Sequence, residues 1–317
     1  MSIVETAHFE GPEKKLKVTF AKDAPGLRSL PRTVWDQVLG AAGAAIVSAA
    51  HDEYWDAYVL SESSLFVSDH SLTLITCGQT RLVDAVAPLL SHAPRAALSQ
   101  LLYARKSEHF PQHQASTFDA DAKRLRALLG PSGPCAQRRL GEGEHFVDLF
   151  DSAASGHARR PDVTLEVLMH GPSAAACARF ERSQAPAARA LVASLAPGFA
   201  LHEHYFDPQG YSVNGLGDGA YVTLHVTPEP VGSYVSFELQ GPLERVSAGD
   251  ALRCVAALAT TFAPRSIEVL AYHPSEPWLT AADLRAAVPG YVVAAGEPLR
   301  AADYHLAFTQ LRPSTAL

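Results

Sequence analysis

Three kinds of residue pattern are scarce in this chain, and each scarcity closes off a class of protein. The 317 residues hold four cysteines, Cys77, Cys135, Cys177 and Cys254. They are too few and too widely spaced for a disulfide scaffold, and none forms a Cys-x-x-Cys pair, so reduced thiols are expected. Basic residues form no block, and the formal net charge is -7. Neither an extended phosphate-neutralising surface nor a nucleic-acid partner is therefore expected. No uncharged apolar run reaches the roughly 18 residues of a membrane span. The first residues, Met1 to Glu5, carry an early acid and lack the apolar stretch of a signal peptide. The expected compartment is the cytoplasm, with no membrane partner.

Hydrophobic residues at 47% and charged residues at 19% are ordinary for a globular chain, so a sizeable core is possible in one large domain or two. Short runs rich in β-branched and aromatic residues predict strands over Leu16 to Phe20, Ala57 to Val67, Leu72 to Cys77, Val163 to Met169, Tyr221 to Val226, Tyr234 to Leu239, Ile267 to Tyr272 and Tyr304 to Leu311. Helical patterns run over Arg81 to Ser91, Phe118 to Leu129, Ala248 to Phe262 and Ala281 to Val288. A Thr280-x-x-Asp283 capping box opens the last of these. Several neighbouring strands are joined too closely for a parallel crossover, which predicts antiparallel hairpins and an α+β fold. The polar stretch Lys106 to Ser116 and the Ala-rich stretch Ser173 to Ala190 are candidate surface connections, although the second could equally be helical. Both halves offer strands followed by helices, which permits a duplicated unit.

Taken singly, the candidate chemical residues have plain structural explanations. Four small polar or acidic residues, Ser61, Glu62, Ser63 and Ser64, interrupt a hydrophobic run, as a bulge or turn inside a hairpin would. Ser212 lies in a glycine-flanked segment that reads as a turn. Asn214 stands where a nucleophile elbow requires glycine, so a hydrolase is disfavoured. A lone histidine in a strand, as at His225, is more often structural than catalytic. Cys77 reads as a small buried hydrophobe. His109 and His113 have a zinc-like spacing, but Pro111 opposes the helical turn that would align them and no third ligand is near in sequence, so no metal is expected.

The joint occurrence of motifs changes these readings. Phe9-Glu-Gly-Pro-Glu-Lys14, Tyr58-Val-Leu-Ser-Glu-Ser-Ser64, Thr76-Cys77-Gly78, Gly210-Tyr-Ser-Val-Asn-Gly215, His225-Val-Thr-Pro-Glu-Pro230 and Ser233-Tyr-Val-Ser-Phe-Glu238 follow in that order, with a last block from Asp303-Tyr304 to Phe308-Thr309. Together they resemble the eukaryotic-type S-adenosylmethionine decarboxylase family over nearly the whole chain.

That resemblance implies a proenzyme, one decarboxylase domain over residues 1–317, which cuts itself into 1–62 (β chain) and 63–317 (α chain). Ser63 would attack the carbonyl of Glu62, and elimination would turn Ser63 into a covalent pyruvoyl cofactor. The pyruvoyl group would hold the substrate amine as a Schiff base. By position Ser212 would hydrogen-bond the tetrahedral intermediate, His225 would remove the Ser63 α-proton, and Cys77 would reprotonate the product. Phe9 and Phe206 match rings that sandwich adenine, Glu229 matches the carboxylate on the ribose hydroxyls, and Glu62 would face the adenine. Glu10 and Glu13 match acidic residues near the reacting centre. The product would be the aminopropyl donor for spermidine and spermine synthesis.

Asp162, Thr164, Glu166, Glu238 and Tyr304 match a putrescine site of mammalian members, whereas Lys15, Lys17 and Ile75 depart from it. Lysines beside those carboxylates would replace the diamine, as basic residues do in plant members, so activity independent of putrescine is expected. Two rival readings remain: a pyruvoyl decarboxylase of ornithine or arginine, and a non-catalytic partner that activates a decarboxylase. The fold implied is a four-layer αββα sandwich of two antiparallel sheets with helices outside and an internal duplication, as a monomer or a homodimer.

Overall fold

The computed structural model describes residues 9–130, 134–153, 162–301 and 303–314. In the first half the strands are β1 (Lys14–Phe20), β2 (Ile46–His51), β3 (Asp56–Leu60), β4 (Ser63–Val67), β5 (Ser71–Thr76), β6 (Leu98–Lys106), β7 (Cys135–Leu140) and β8 (Val147–Ala153). The helices of this half are α1 (Arg32–Ala42), α2 (Val86–His92) and α3 (Phe118–Leu129). The second half supplies β9 (Asp162–His170), β10 (Ala200–Tyr205), β11 (Tyr211–Gly217), β12 (Ala220–Thr227), β13 (Tyr234–Pro242), β14 (Ser266–His273), β15 (Tyr291–Arg300) and β16 (His305–Pro313). Its helices are α4 (Ala174–Ala178), α5 (Ala185–Leu195), α6 (Ala248–Phe262) and α7 (Ala281–Ala287).

One eight-stranded sheet runs β2-β3-β4-β5-β1-β6-β8-β7 and the other β10-β11-β12-β13-β9-β14-β16-β15. Adding eight to each label of the first order gives the second, so the halves are topological repeats. The layers follow from the two-residue period of the strands. In β1, Leu16, Val18 and Phe20 join a core with Val34, Trp35 and Val38 of α1 and Leu125 of α3. The alternate residues Lys15 and Lys17 reach the other sheet, to Glu166, Glu238 and Gln240. The second sheet likewise turns Val163, Leu165 and Val167 toward α5 and α6. Its other face meets the first sheet through Leu168, Leu270 and Phe308 against Leu102 and Leu149. The result is helices, sheet, sheet, helices. Between the sheets Phe66 stacks on Tyr221 with ring centroids 3.9 Å apart.

The structure corrects some expectations and bears out others. The run Ala57 to Val67 is two strands, with Leu60 and Ser63 paired directly and Ser61-Glu62 forming the turn. Two polar residues were enough to reverse the chain. Ser212 lies within β11 rather than in a turn, paired with His225 across the ladder. Lys106 ends a strand, and it and Ser107 are buried, so the segment that follows is not simply a surface connection. Within 173–190 lie α4 and the start of α5. The helical run from Arg81 opens with a 3-10 turn at Leu82–Ala85 before α2. The capping box at Thr280 and Asp283 is formed in both directions.

Candidate active site

The β3–β4 hairpin ends at the space between the sheets, and Ser63 is its first strand residue. Ser63 is 2% exposed and holds φ at 142°. A side chain other than glycine is strained in that backbone region by about 1–3 kcal/mol. The preceding carbonyl, that of Glu62, accepts the Cys77 backbone N–H at 2.9 Å and the Cys77 thiol at 3.1 Å. Cys77 follows β5, and the chain leaves through Gly78 at φ 67°. A Cβ on Gly78 would lie 2.9 Å from Glu62 Oε2 and 3.1 Å from the Phe9 ring, so only glycine fits this turn.

His225 reaches across from β12. Its Nδ1 lies 3.1 Å from Ser63 Oγ and 3.0 Å from Ser212 Oγ. Its Nε2 lies 2.7 Å from Thr223 Oγ1. Burial pushes the imidazole pKa down to about 3, so the ring is neutral. Burial also pushes the Cys77 thiol well above its usual range, helped by Glu13 and Glu62 nearby, so the thiol keeps its proton. The Glu10 carboxylate accepts the backbone N–H groups of His109 and Phe110 at 2.8 and 2.7 Å. Glu13 accepts the Ser236 hydroxyl in a short hydrogen bond, and burial raises its carboxyl to about 7.

Phe206 and Glu229 line a cavity of about 650 Å³ together with Gly210 and Ser233. The Phe9 backbone N–H donates to the Glu229 carboxylate, which ties the cavity to the Gly78 turn. A second cavity of about 460 Å³ is lined by Lys15, Lys17, Asp162, Thr164, Tyr272 and Tyr304. Beside it Lys15 donates to Glu166 at 2.9 Å and to Glu238 at 2.6 Å, and Lys106 donates to Glu166 at 2.7 Å. Burial opposes the charge on Glu166, but Lys106 and Lys15 outweigh it and hold this carboxyl low. Lys17 donates to Gln240 at 2.8 Å, and Thr164 reaches the same acceptor at 3.4 Å.

The structure thus gathers Ser63, Glu62, Cys77, Ser212 and His225 at one hairpin. It sets Glu10 behind Gly78, whose backbone N–H donates to the Glu10 carbonyl at 2.7 Å. In the uncut chain the Glu62 carbonyl is held by Cys77, and Ser212 Oγ lies on His225. Sequence reasoning missed Lys106, the second cation on Glu166. It also missed Thr223 and Asn214, whose places depend on cross-strand register. His109 and His113 point apart, His109 toward His145 and His170 and His113 onto Phe110. Among the described residues no group of three His, Cys, Asp or Glu side chains could hold a metal ion.

This duplicated sandwich of two eight-stranded antiparallel sheets shares its fold with a solved structure. The crystal structure of the Trypanosoma brucei AdoMetDC-delta26 monomer matches with a TM-score of 0.60 at 18% identity, covering 78% of this chain and 98% of that one. The profile described as adenosylmethionine decarboxylase matches residues 6–310, and the chain belongs to that family. The S-adenosylmethionine decarboxylase proenzyme of Xenopus laevis is 34% identical over 73% of this chain and 75% of its own length. That of Solanum chilense is 32% identical over 75% and 72%.

Proposed function

We propose that this chain is a proenzyme that cuts its own Glu62–Ser63 bond and then decarboxylates S-adenosylmethionine through a pyruvoyl group made from Ser63. The observation that carries this is the Glu62 carbonyl, held by two donors of Cys77 beside a strained serine whose hydroxyl lies 3.1 Å from a neutral imidazole nitrogen.

The steps balance with the groups present and one water. Ser63 Oγ adds to the Glu62 carbonyl carbon, the C–N bond breaks, and an ester with a free amine at residue 63 results. Charge building on the carbonyl oxygen meets the Cys77 N–H and thiol, which are already aimed at it. Ser212 then has the task of steadying His225 rather than that oxygen. His225 takes the Ser63 α-proton, the Cβ–Oγ bond breaks, and the Glu62 carboxylate leaves. Water hydrolyses the resulting enamine, as its imine tautomer, to the pyruvoyl carbonyl and ammonia. Chains of residues 1–62 and 63–317 result.

The pyruvoyl carbonyl supplies an electron sink for the pair released when carbon dioxide departs. The residues around it do the remaining work. The neutral Cys77 thiol can return a proton to the substrate α-carbon. Phe206 and Phe9 offer aromatic faces to a purine carried beside a sulfonium cation. The Glu229 and Glu62 carboxylates offer acceptors to the ribose hydroxyls and the purine. These features favour a nucleoside substrate over ornithine or arginine, and the names of the frog and tomato-relative proenzymes support S-adenosylmethionine. The decarboxylated product would donate aminopropyl groups for spermidine and spermine.

Intact mass spectrometry of the denatured protein tests the reading. Two chains meeting at Glu62 and a pyruvoyl-blocked residue 63 are expected, with one uncut chain in Ser63→Ala. An uncut chain in the unsubstituted protein would overturn it and favour the non-catalytic partner.

A further inference from the structure

The imidazole of His225 has two nitrogens, and only an unprotonated one can take a proton from residue 63. Which nitrogen is bare follows from a chain of hydrogen bonds that begins at an atom with no choice. The Tyr58 carbonyl can only accept, and Asn214 Nδ2 donates to it at 3.1 Å. Asn214 Oδ1 is therefore fixed as an acceptor. It receives the hydroxyls of Ser64 at 2.7 Å and Thr223 at 2.9 Å. Thr223 has one proton, and it is given to Asn214, so its oxygen faces His225 Nε2 as an acceptor at 2.7 Å. Nε2 then carries the ring proton. In the neutral ring Nδ1 is bare; it lies 3.1 Å from Ser63 Oγ and 3.0 Å from Ser212 Oγ, while the protonated Nε2 lies 3.3 Å from Ser63 Oγ.

We propose that Asn214 and Thr223 are positioning residues that select the tautomer of His225, so that of the two ring nitrogens near Ser63 the unprotonated one is Nδ1. The proposal rests on the self-cleavage reading and assigns a task to two residues that touch no reacting atom. All four side chains are buried: Asn214 and Thr223 are each 1% exposed, Ser64 0% and His225 5%. Solvent therefore does not compete for their hydrogen bonds. The anchor at Tyr58 lies upstream of the scissile bond, and the rest of the chain of bonds lies downstream.

Two measurements test this. The first follows processing in Thr223→Val, Thr223→Ser and Asn214→Ala. Valine removes the acceptor for Nε2–H, and alanine at 214 frees the Thr223 proton to bond Nε2 and reverse the tautomer. Both are expected to slow elimination by about 100-fold. The ester should then accumulate as a species that hydroxylamine cleaves to give an unmodified Ser63 terminus. Thr223→Ser keeps the hydroxyl and should restore processing. The second measurement records histidine 15N shifts of the uncut Ser63→Ala protein, with His225 assigned by its loss in His225→Gln. A pyridine-like Nδ1 and a pyrrole-like Nε2 are expected.

Processing of Thr223→Val at the unsubstituted rate, or a pyrrole-like Nδ1 in Ser63→Ala, would overturn the proposal. Where the valine variant does not fold, the nitrogen shifts decide alone. Failure of the unsubstituted protein to cleave would count against the self-cleavage reading instead, because the tautomer is read in an uncut chain.

Discussion

Burial moves the two acid–base groups flanking the reacting hairpin in opposite directions. His225 is pushed down to about 3 and Glu13 up to about 7. Both shifts favour the neutral form, and each leaves a signature in stability. For His225 the folded value lies below the unfolded value of about 6.5, so its effect is a loss of stability as pH falls from there toward 3. Glu13 has the reverse sign. Its folded value lies above the unfolded 4.5, so the folded state binds the extra proton and stability is lost as pH rises from 4.5 to about 7. Glu13→Gln should remove that loss, worth up to roughly 3 kcal/mol at about 1.4 kcal/mol per unit. Denaturant melts at pH 5 and pH 7.5 check it, and an equal change in stability for both proteins would refute it. The residue types Ser, Cys and His were legible in the motifs. Their partners were not, because Asn214 faces Thr223 across a ladder and Ser64 across the gap between sheets, and such proximities leave no mark on local sequence.

At the scale of elements, β1 shows why the charge network was only half readable. Its alternation placed Leu16 and Val18 against helices and Lys15 toward acids on the facing sheet. The second cation, Lys106, ends β6, a strand whose residues from Ser99 to Lys106 are all buried and which carries no alternation to reveal a polar face. The β3–β4 hairpin was legible only as a bulge or a turn, without a choice between them, because its two-residue turn contains neither glycine nor asparagine, the usual signals. Lys15 and Lys106 together set two ammonium groups on Glu166 and Glu238, two of the residues that resemble a diamine site. Putrescine is therefore expected not to raise the decarboxylation rate. Lys106→Met leaves Glu166 with one cation and should cost about 3 kcal/mol, as breaking a buried pair does. Chemical denaturation measures that loss, and a severalfold stimulation of the unsubstituted protein by putrescine would sink the network's assigned role.

For the molecule as a whole, the repeated strand order was only permitted by the sequence, since the halves share topology without a short-period repeat. That order decides what the proposed self-cleavage would do to the assembly. Residues 1–62 hold β1, β2, β3 and α1. Two of these strands form one edge of the first sheet, but β1 lies inside it, bonded to β5 on one side and β6 on the other. Its Leu16, Val18 and Phe20, with Trp35 and Leu39 of α1, are in the core beneath the helices. Across the gap Lys15 is bonded to both Glu166 and Glu238. Cutting after Glu62 would therefore sever the chain at a tight turn without freeing any strand, and removing the short chain would open three ladders, β1–β5, β1–β6 and β3–β4, and expose that core. The processed chains are expected to travel as one species in native size exclusion and to part only in denaturant, in the same transition that melts the sheets. Release of the 62-residue chain under native conditions, with the longer chain still folded, would show that β1 is not held as its register requires.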